Sequence, residues 1–296
     1  MNIDNGCFGF VGLGLIGGSI AKAIRRVYPS ATIIAYNRTF TVAQKAQAEG
    51  IADIICQEVD ETFSDCDYIF LCMPVSYNVQ YLRRLAPLVK QSCILTDVGS
   101  SKSDIHEHVK RLGLETQFIG GHPMAGSDKT GYGHATSHLI DGAYYIITPT
   151  EQSNRQSVEN YQKLVSSLGA CPMVLDCHKH DYMTAAISHV PHLAASALAC
   201  LARDLDTDGI MGEIAAGGFR DTTRIAASSP TMWQQICLTN SENICKVLDS
   251  YIELLQSIRA MVHAKSDESI FRFLDEARQY RCSLPENKTG LSSESF

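Results

Sequence analysis

Short apolar runs alternate with helical periods over the first 176 residues. Cys7–Val11 and Thr32–Tyr36 read as strands, as do Tyr68–Cys72, Cys93–Thr96, Gln117–Ile119, Tyr144–Thr148 and a last run near Met173–Leu175. Between them, Ile16–Val27 has helical periodicity and stops before Pro29. The stretch 41-TVAQKAQAEG-50 is a helix with Gly50 as its stop, and 153-SNRQSVENYQKLVSSLG-169 is another. Strand–helix alternation of this kind predicts a parallel sheet covered on both faces. After His178 the texture changes. From Asp181 to about Arg281 helical periods dominate and strand signals vanish. The expected organisation is an α/β domain over 1–176, an all-α domain over 177–282, and a polar, disordered tail over 283–296.

Composition narrows the field. With 45% hydrophobic and 19% charged residues the chain can build ordinary cores, and its net charge of −7 makes nucleic acid and anionic membranes poor partners. Its 11 cysteines form no C-x-x-C pair, so buried thiols in a reducing cytoplasm are the simplest reading. The apolar run Phe8–Ile24 is broken by five glycines and is preceded by Asp4 with no Lys or Arg, which does not fit a signal peptide. No uncharged stretch reads as a membrane span. His178 and His180 lack a third ligand at suitable spacing, so no metal site is expected. His106 and His108, in 104-DIHEHVKRLG-113, read as solvated residues of an exposed helix.

Chemistry enters first at 8-FGFVGLGLIGGSIAKAI-24, where Gly12-x-Gly14-x-x-Gly17 lies between a strand and a helix. Gly12 permits the tight turn, Gly14 lets backbone approach a pyrophosphate, and Gly17 lets helix and sheet pack closely. The N–H groups of Leu15 and Ile16, with the helix dipole, would hold phosphate. At the end of the second strand stand Asn37, Arg38 and Thr39, where an NAD site usually has an acidic residue. A neutral Asn followed by Arg favours NADP over NAD; the alternative is that Arg38 stacks on the adenine and both cofactors are accepted. Met73 and Pro74, after the Tyr68–Cys72 strand, complete the expected cofactor set.

Four further motifs remain. The first is 120-GGHPMAGSDKTG-131, whose His122 lies between a Gly-Gly pair and a proline and so outside any helix interior, displayed on a glycine-rich loop. The second is 96-TDVGSSKSD-104. The third, 181-DYMTAAISHVPH-192, sets Asp181, Ala185, Ser188 and His192 on one helical stripe, with a kink expected at Pro191. The fourth, 217-GGFRDTTRIA-226, precedes 230-PTMWQQI-236.

Taken together, these motifs resemble the prephenate dehydrogenase family of tyrosine biosynthesis, which includes arogenate dehydrogenases, from about Phe8 to about Arg281. The resemblance implies an NAD(P)-dependent oxidative decarboxylation of prephenate to 4-hydroxyphenylpyruvate, by a homodimer joined through the helical domain. It implies that His122 accepts the hydrogen bond from the substrate's ring hydroxyl. Ser100, or its neighbour Ser101, would orient that histidine, and Arg224 would bind a substrate carboxylate. His192 and Ser188 would face the substrate, with Asp181 and Trp233 at or behind the pocket. Asp128 stands where the family commonly has glutamate. Arogenate, which differs by an amino in place of a keto group, is the alternative substrate, and a catalytically inactive dinucleotide sensor is a remote one. No appended regulatory or mutase domain is expected, so tyrosine inhibition would act at the active site through Arg224.

Overall fold

The computed structural model describes residues 3–126 and 129–285. Asp128 and most of the expected tail lie outside the described residues. Strands β1 (Cys7–Val11), β2 (Thr32–Tyr36), β3 (Ile54–Cys56), β4 (Tyr68–Leu71) and β5 (Ile94–Asp97) form a parallel sheet in the order β3-β2-β1-β4-β5. Strand β3 has no counterpart in the sequence reading, because three residues with one buried side chain carry too little periodicity to show. Helices α1 (Leu15–Val27), α2 (Phe40–Ala48), α3 (Val75–Leu85) and α4 (Ser103–Arg111) connect the strands. Gly50, at φ +70°, follows α2 and ends it as expected. Two apolar clusters line the sheet, one around Phe8, Phe10 and Ile24, the other around Phe63, Ile69 and Leu95.

Strand β6 (Ile119–Pro123) continues the sheet beyond β5 through a parallel bridge between Leu95 and Phe118. The next strand, β7 (Tyr144–Pro149), runs antiparallel to β6, and β8 (Cys171–Val174) runs parallel to β7 after helix α5 (Arg155–Ser167). The uniform parallel sheet read from sequence is thus corrected at its far edge. Alternation alone cannot report strand direction, and among the described residues of the 124–143 connection the only helical element is the 3-10 turn Tyr132–His134, too short for a parallel crossover.

His122 is also relocated: it lies within β6, paired with Ile146, and is not on a loop. The two glycines before it serve close approach instead of a turn. A Cβ on Gly121 would lie 2.7 Å from the Asp97 carbonyl oxygen and 2.9 Å from the Tyr145 ring.

From α6 (Cys177–Thr184) onward the described elements are helical. A π turn at Ala185–His189 leads directly into α7 (Val190–Leu205). Pro191 has no N–H to donate, and the wider turn, closed by Val190 N–H to the Ala185 carbonyl, absorbs that loss just ahead of it. The continuous run Cys177–Leu205 spans 29 residues and is, by length and composition, long and apolar enough to cross a membrane, contrary to the sequence expectation. It also carries buried His180, Asp181, His189 and His192, which pair with or stack on other parts of the protein. The chain continues through α8 (Ile210–Ile214), α9 (Gly217–Thr223), a 3-10 turn at Arg224–Ala227, α10 (Pro230–Thr239), α11 (Ser241–His263) and α12 (Asp267–Ser283).

Candidate active site

The C-terminal ends of β1, β4 and β5 share one edge of the sheet, because the three strands are parallel neighbours. Strand β6 enters parallel to β5, so His122 reaches the same edge. In open α/β sheets this edge is where ligands bind.

The glycine turn has the shape of a phosphate cradle. Gly12 adopts φ +102°, and a Cβ on Gly17 would lie 2.4 Å from the Gly12 carbonyl oxygen. Gly14 differs: a Cβ there would meet nothing within 4 Å. No protein atom requires that glycine, whereas an approaching pyrophosphate would. Gly14 caps α1 with no side-chain hydrogen bond, leaving the first N–H groups of the helix, including those of Leu15 and Ile16, to a ligand. The residues therefore fit a dinucleotide.

Beside the turn, a Cβ on Gly12 would lie 2.8 Å from the sulfur of Met73, and Pro74 begins α3. Asn37 is engaged in building the turn. Its Oδ1 accepts from Leu13 N–H at 2.9 Å, and its Nδ2 donates to the Thr39 carbonyl at 3.0 Å. Arg38 is exposed, with its guanidinium 5.8 Å from the centre of the Tyr77 ring.

Around His122 the structure builds a buried polar chain. The Asp181 carboxylate accepts Lys102 N–H at 2.7 Å and Ser103 N–H at 2.8 Å, and His180 Nδ1 is 2.8 Å from it. His180 Nε2 in turn lies 2.8 Å from His122 Nδ1, the two rings meeting edge to face. Burial alone would raise the Asp181 carboxyl, but the hydrogen bonds from His180 and Ser103 outweigh it and hold the group below the usual carboxylate range. His122 is half-buried, and burial pushes its imidazole well below the ordinary histidine value, with His180, Lys102 and His189 acting the same way. A neutral imidazole suits a proton acceptor.

Lys102 is fully buried. Its ammonium pairs with Asp97 and donates to the Gly121 carbonyl at 2.7 Å, tying the end of β5 to β6 one residue before His122. Burial lowers its pKa, against the opposing pull of Asp97.

The two adjacent serines separate. Ser101 is buried, its hydroxyl 2.7 Å from that of Thr239 on α10, whereas Ser100 is partly exposed on the turn after β5. On the helical side, the His192 ring stacks on Trp233 with centroids 3.5 Å apart and planes 7° from parallel, and His189 meets the same indole edge-on at 6.0 Å. His189 Nε2, His192 Nδ1 and Trp233 Nε1 are buried without a hydrogen-bond partner among the described residues. Three buried polar atoms around one ring stack are thus left without a described partner, at a cost in desolvation. Ser188 is half-buried on the π turn, and Arg224 is exposed at the start of the 3-10 turn that packs against α7.

Lys102 and Asp97 were not singled out in the sequence, and His180 was considered there only as a metal ligand. Asp97 and Lys102 flank the serines of 96-TDVGSSKSD-104, and His180 adjoins Asp181, so the signals were present beside residues already chosen. His106 is corrected: it packs edge-on against Phe118 and lies 3.0 Å from the Thr148 hydroxyl, and burial lowers its pKa to about 4.

A phosphate cradle and a neutral histidine on one sheet edge define an oxidoreductase that uses a nicotinamide dinucleotide. Residues 20–174 match the family described as prephenate dehydrogenase, nucleotide-binding domain, and residues 176–276 match prephenate dehydrogenase, dimerization domain. The chain belongs to the prephenate dehydrogenase family. It is 35% identical over 282 residues to the prephenate dehydrogenase of Bacillus subtilis (strain 168), covering 94% of this chain and 76% of that one. It is also similar to the crystal structure of prephenate dehydrogenase from A. aeolicus in complex with hydroxyphenyl propionate and NAD+, with a TM-score of 0.89 and 29% identity over 94% of this chain and 97% of that one. Synechocystis arogenate dehydrogenase aligns with a TM-score of 0.82 and 29% identity, over 93% of this chain and 98% of that one.

Proposed function

We propose that the protein oxidises and decarboxylates prephenate to 4-hydroxyphenylpyruvate. The observation that carries this reading is the meeting of the glycine cradle and a neutral His122 at one sheet edge, in a chain of this family. NAD(P), when bound, supplies the hydride acceptor for the ring carbon that bears the hydroxyl. His122 accepts the hydroxyl proton as the hydride leaves, and a proton returns to the ring oxygen when loss of the ring carboxylate as CO2 makes the ring aromatic. Because aromatisation drives the step, the protein's task is alignment and the acceptance of one proton.

Ser100 is assigned the place beside substrate and nicotinamide, supported by its exposure; Ser101 is committed to Thr239. Arg224 is assigned a substrate carboxylate, for which a guanidinium fork is suited. His192, Ser188 and Trp233 form the substrate wall, supported by the orphaned atoms there. Asp181, saturated by its donors, supports the site from behind. Asn37 and Arg38 favour NADP, since no carboxylate stands at the end of β2 to meet a ribose hydroxyl. The division into a nucleotide domain up to residue 176 and a helical domain from 177, and a cytoplasmic location, belong to the same reading.

A homodimer completes it. Helix α12 has 17 residues and none buried, and α11 buries only Ile244 of its 23. Ile214, Leu238 and Phe271 are 65–73% exposed. An apolar groove of about 400 Å³ between α7 and α11, lined by Val190, Pro191, Val247, Tyr251 and Leu254, lies among these helices. Helices of this length need a packed face, and a second copy supplies one.

The test is His122→Asn. Turnover of prephenate should fall by roughly two to four orders of magnitude, the usual contribution of a general base, while dinucleotide still binds. Wild-type turnover in that variant would remove the assignment.

A further inference from the structure

His122 has two ring nitrogens, and only a neutral ring with its proton on Nδ1 can offer Nε2 as an acceptor. Left alone, an imidazole exchanges between tautomers. The buried chain behind His122 decides which one is present. Asp181 is a carboxylate that accepts two backbone N–H groups, from Lys102 and Ser103, and these fix its orientation. As an acceptor only, it requires the proton of His180 to sit on Nδ1, 2.8 Å away. The Nε2 of a neutral His180 is then a lone pair, and it faces His122 Nδ1 at 2.8 Å, which must therefore be the donor. The remaining nitrogen of His122, Nε2, is left as an acceptor. His180 is 1% exposed and Asp181 is fully buried, so water cannot relieve a reversed arrangement.

Resting on the reading of His122 as proton acceptor, we propose that His180, held by Asp181, is a positioning residue that sets the His122 tautomer and so keeps its Nε2 lone pair toward the substrate hydroxyl. A reversed chain would put a proton on His122 Nε2, opposing one donor to another and leaving the hydroxyl proton nowhere to go. Among the described residues, the charged and titratable groups around His122 are His180 and Asp181 on α6, Lys102 just before α4 with its partner Asp97 at the end of β5, and His189 on the π turn. Of these, only His180 is hydrogen-bonded to the His122 ring.

Two substitutions separate this role from simple packing. His180→Phe keeps a ring and removes both hydrogen bonds. In His180→Gln the amide nitrogen must face Asp181, because a carboxylate only accepts, so the amide oxygen can still take the His122 Nδ1 proton. With prephenate and saturating dinucleotide, the Phe variant should lose about 100-fold in kcat and the Gln variant less than about tenfold, within the range of a general base's contribution. KM for prephenate and the dinucleotide Kd should stay near wild type in both.

Nitrogen-15 NMR of histidine-labelled protein gives a readout independent of turnover, with the His122 signals assigned by their loss in His122→Asn. In wild type His122 should carry its proton on Nδ1, and in the Phe variant an Nε2-protonated population should emerge. Wild-type kcat in the Phe variant would overturn the proposal, as would a Gln variant no more active than Phe, or a wild-type His122 protonated on Nε2. If the Phe variant does not fold, the Gln variant and the wild-type spectrum still decide. Full activity in His122→Asn would instead sink the reading beneath it, and the wild-type spectrum would remain interpretable.

Discussion

His106 shows how far a side chain's surroundings can depart from what its neighbours in sequence imply. Read from 104-DIHEHVKRLG-113, His106 belonged to a solvated helix face; in the fold it turns under β7 to Thr148. Nothing in one helix's sequence reveals a partner 42 residues away. Burial depresses the rings of His106 and His189 to a pKa of about 4. Unfolded histidine titrates near about 6.5, so between those values the unfolded chain binds more protons and stability rises with pH. The contribution is present above about pH 6.5 and is lost as pH falls toward 4. The urea midpoint should accordingly drop between pH 7.5 and pH 5. His106→Gln, which can still pair with Thr148 but cannot take a proton, should shrink that drop. An unchanged pH dependence in the variant would contradict the argument.

Among the elements, the strand–turn–helix at the start of the chain was legible because three glycines at fixed spacing have separate physical reasons. These reasons separate two substitutions. Gly17→Ala would place a methyl 2.4 Å from the Gly12 carbonyl oxygen, so it should destabilise the fold by about 1–3 kcal/mol, as overpacking does. Gly14→Ala meets no protein atom and should leave the urea midpoint nearly unchanged while weakening dinucleotide binding measured by calorimetry. Equal effects of the two on stability would contradict the assigned roles. Strand β6 was half legible. The apolar run Gln117–Ile119 announced a strand, but Gly-Gly-His-Pro looks like a turn, and only the proximity of Asp97 and Tyr145 explains why glycines continue it. A break in regular helix beside Pro191 was legible from proline chemistry, whereas its form as a π turn depends on how the freed carbonyls find donors.

At the scale of the whole molecule, the sequence motifs brought His122, Ser100 and the glycine turn to one edge because parallel strands place their C-terminal ends together. The buried support behind them, Asp97, Lys102 and His180, was not legible. Its members come from β5, the following loop and α6, and only folding brings them into register. The helices α11 and α12 bury almost none of their residues within one chain, which is the ground for the proposed dimer: light scattering should give twice the mass of one chain, and a monomeric mass at micromolar concentration would contradict the dimer. The most direct test of the central claim is an initial-rate assay with prephenate or arogenate, each with NAD or NADP, followed by the absorbance of reduced nicotinamide. The account predicts turnover of prephenate, faster with NADP than with NAD. No turnover in any of the four combinations while the dinucleotide still binds, or turnover of arogenate alone, would contradict it.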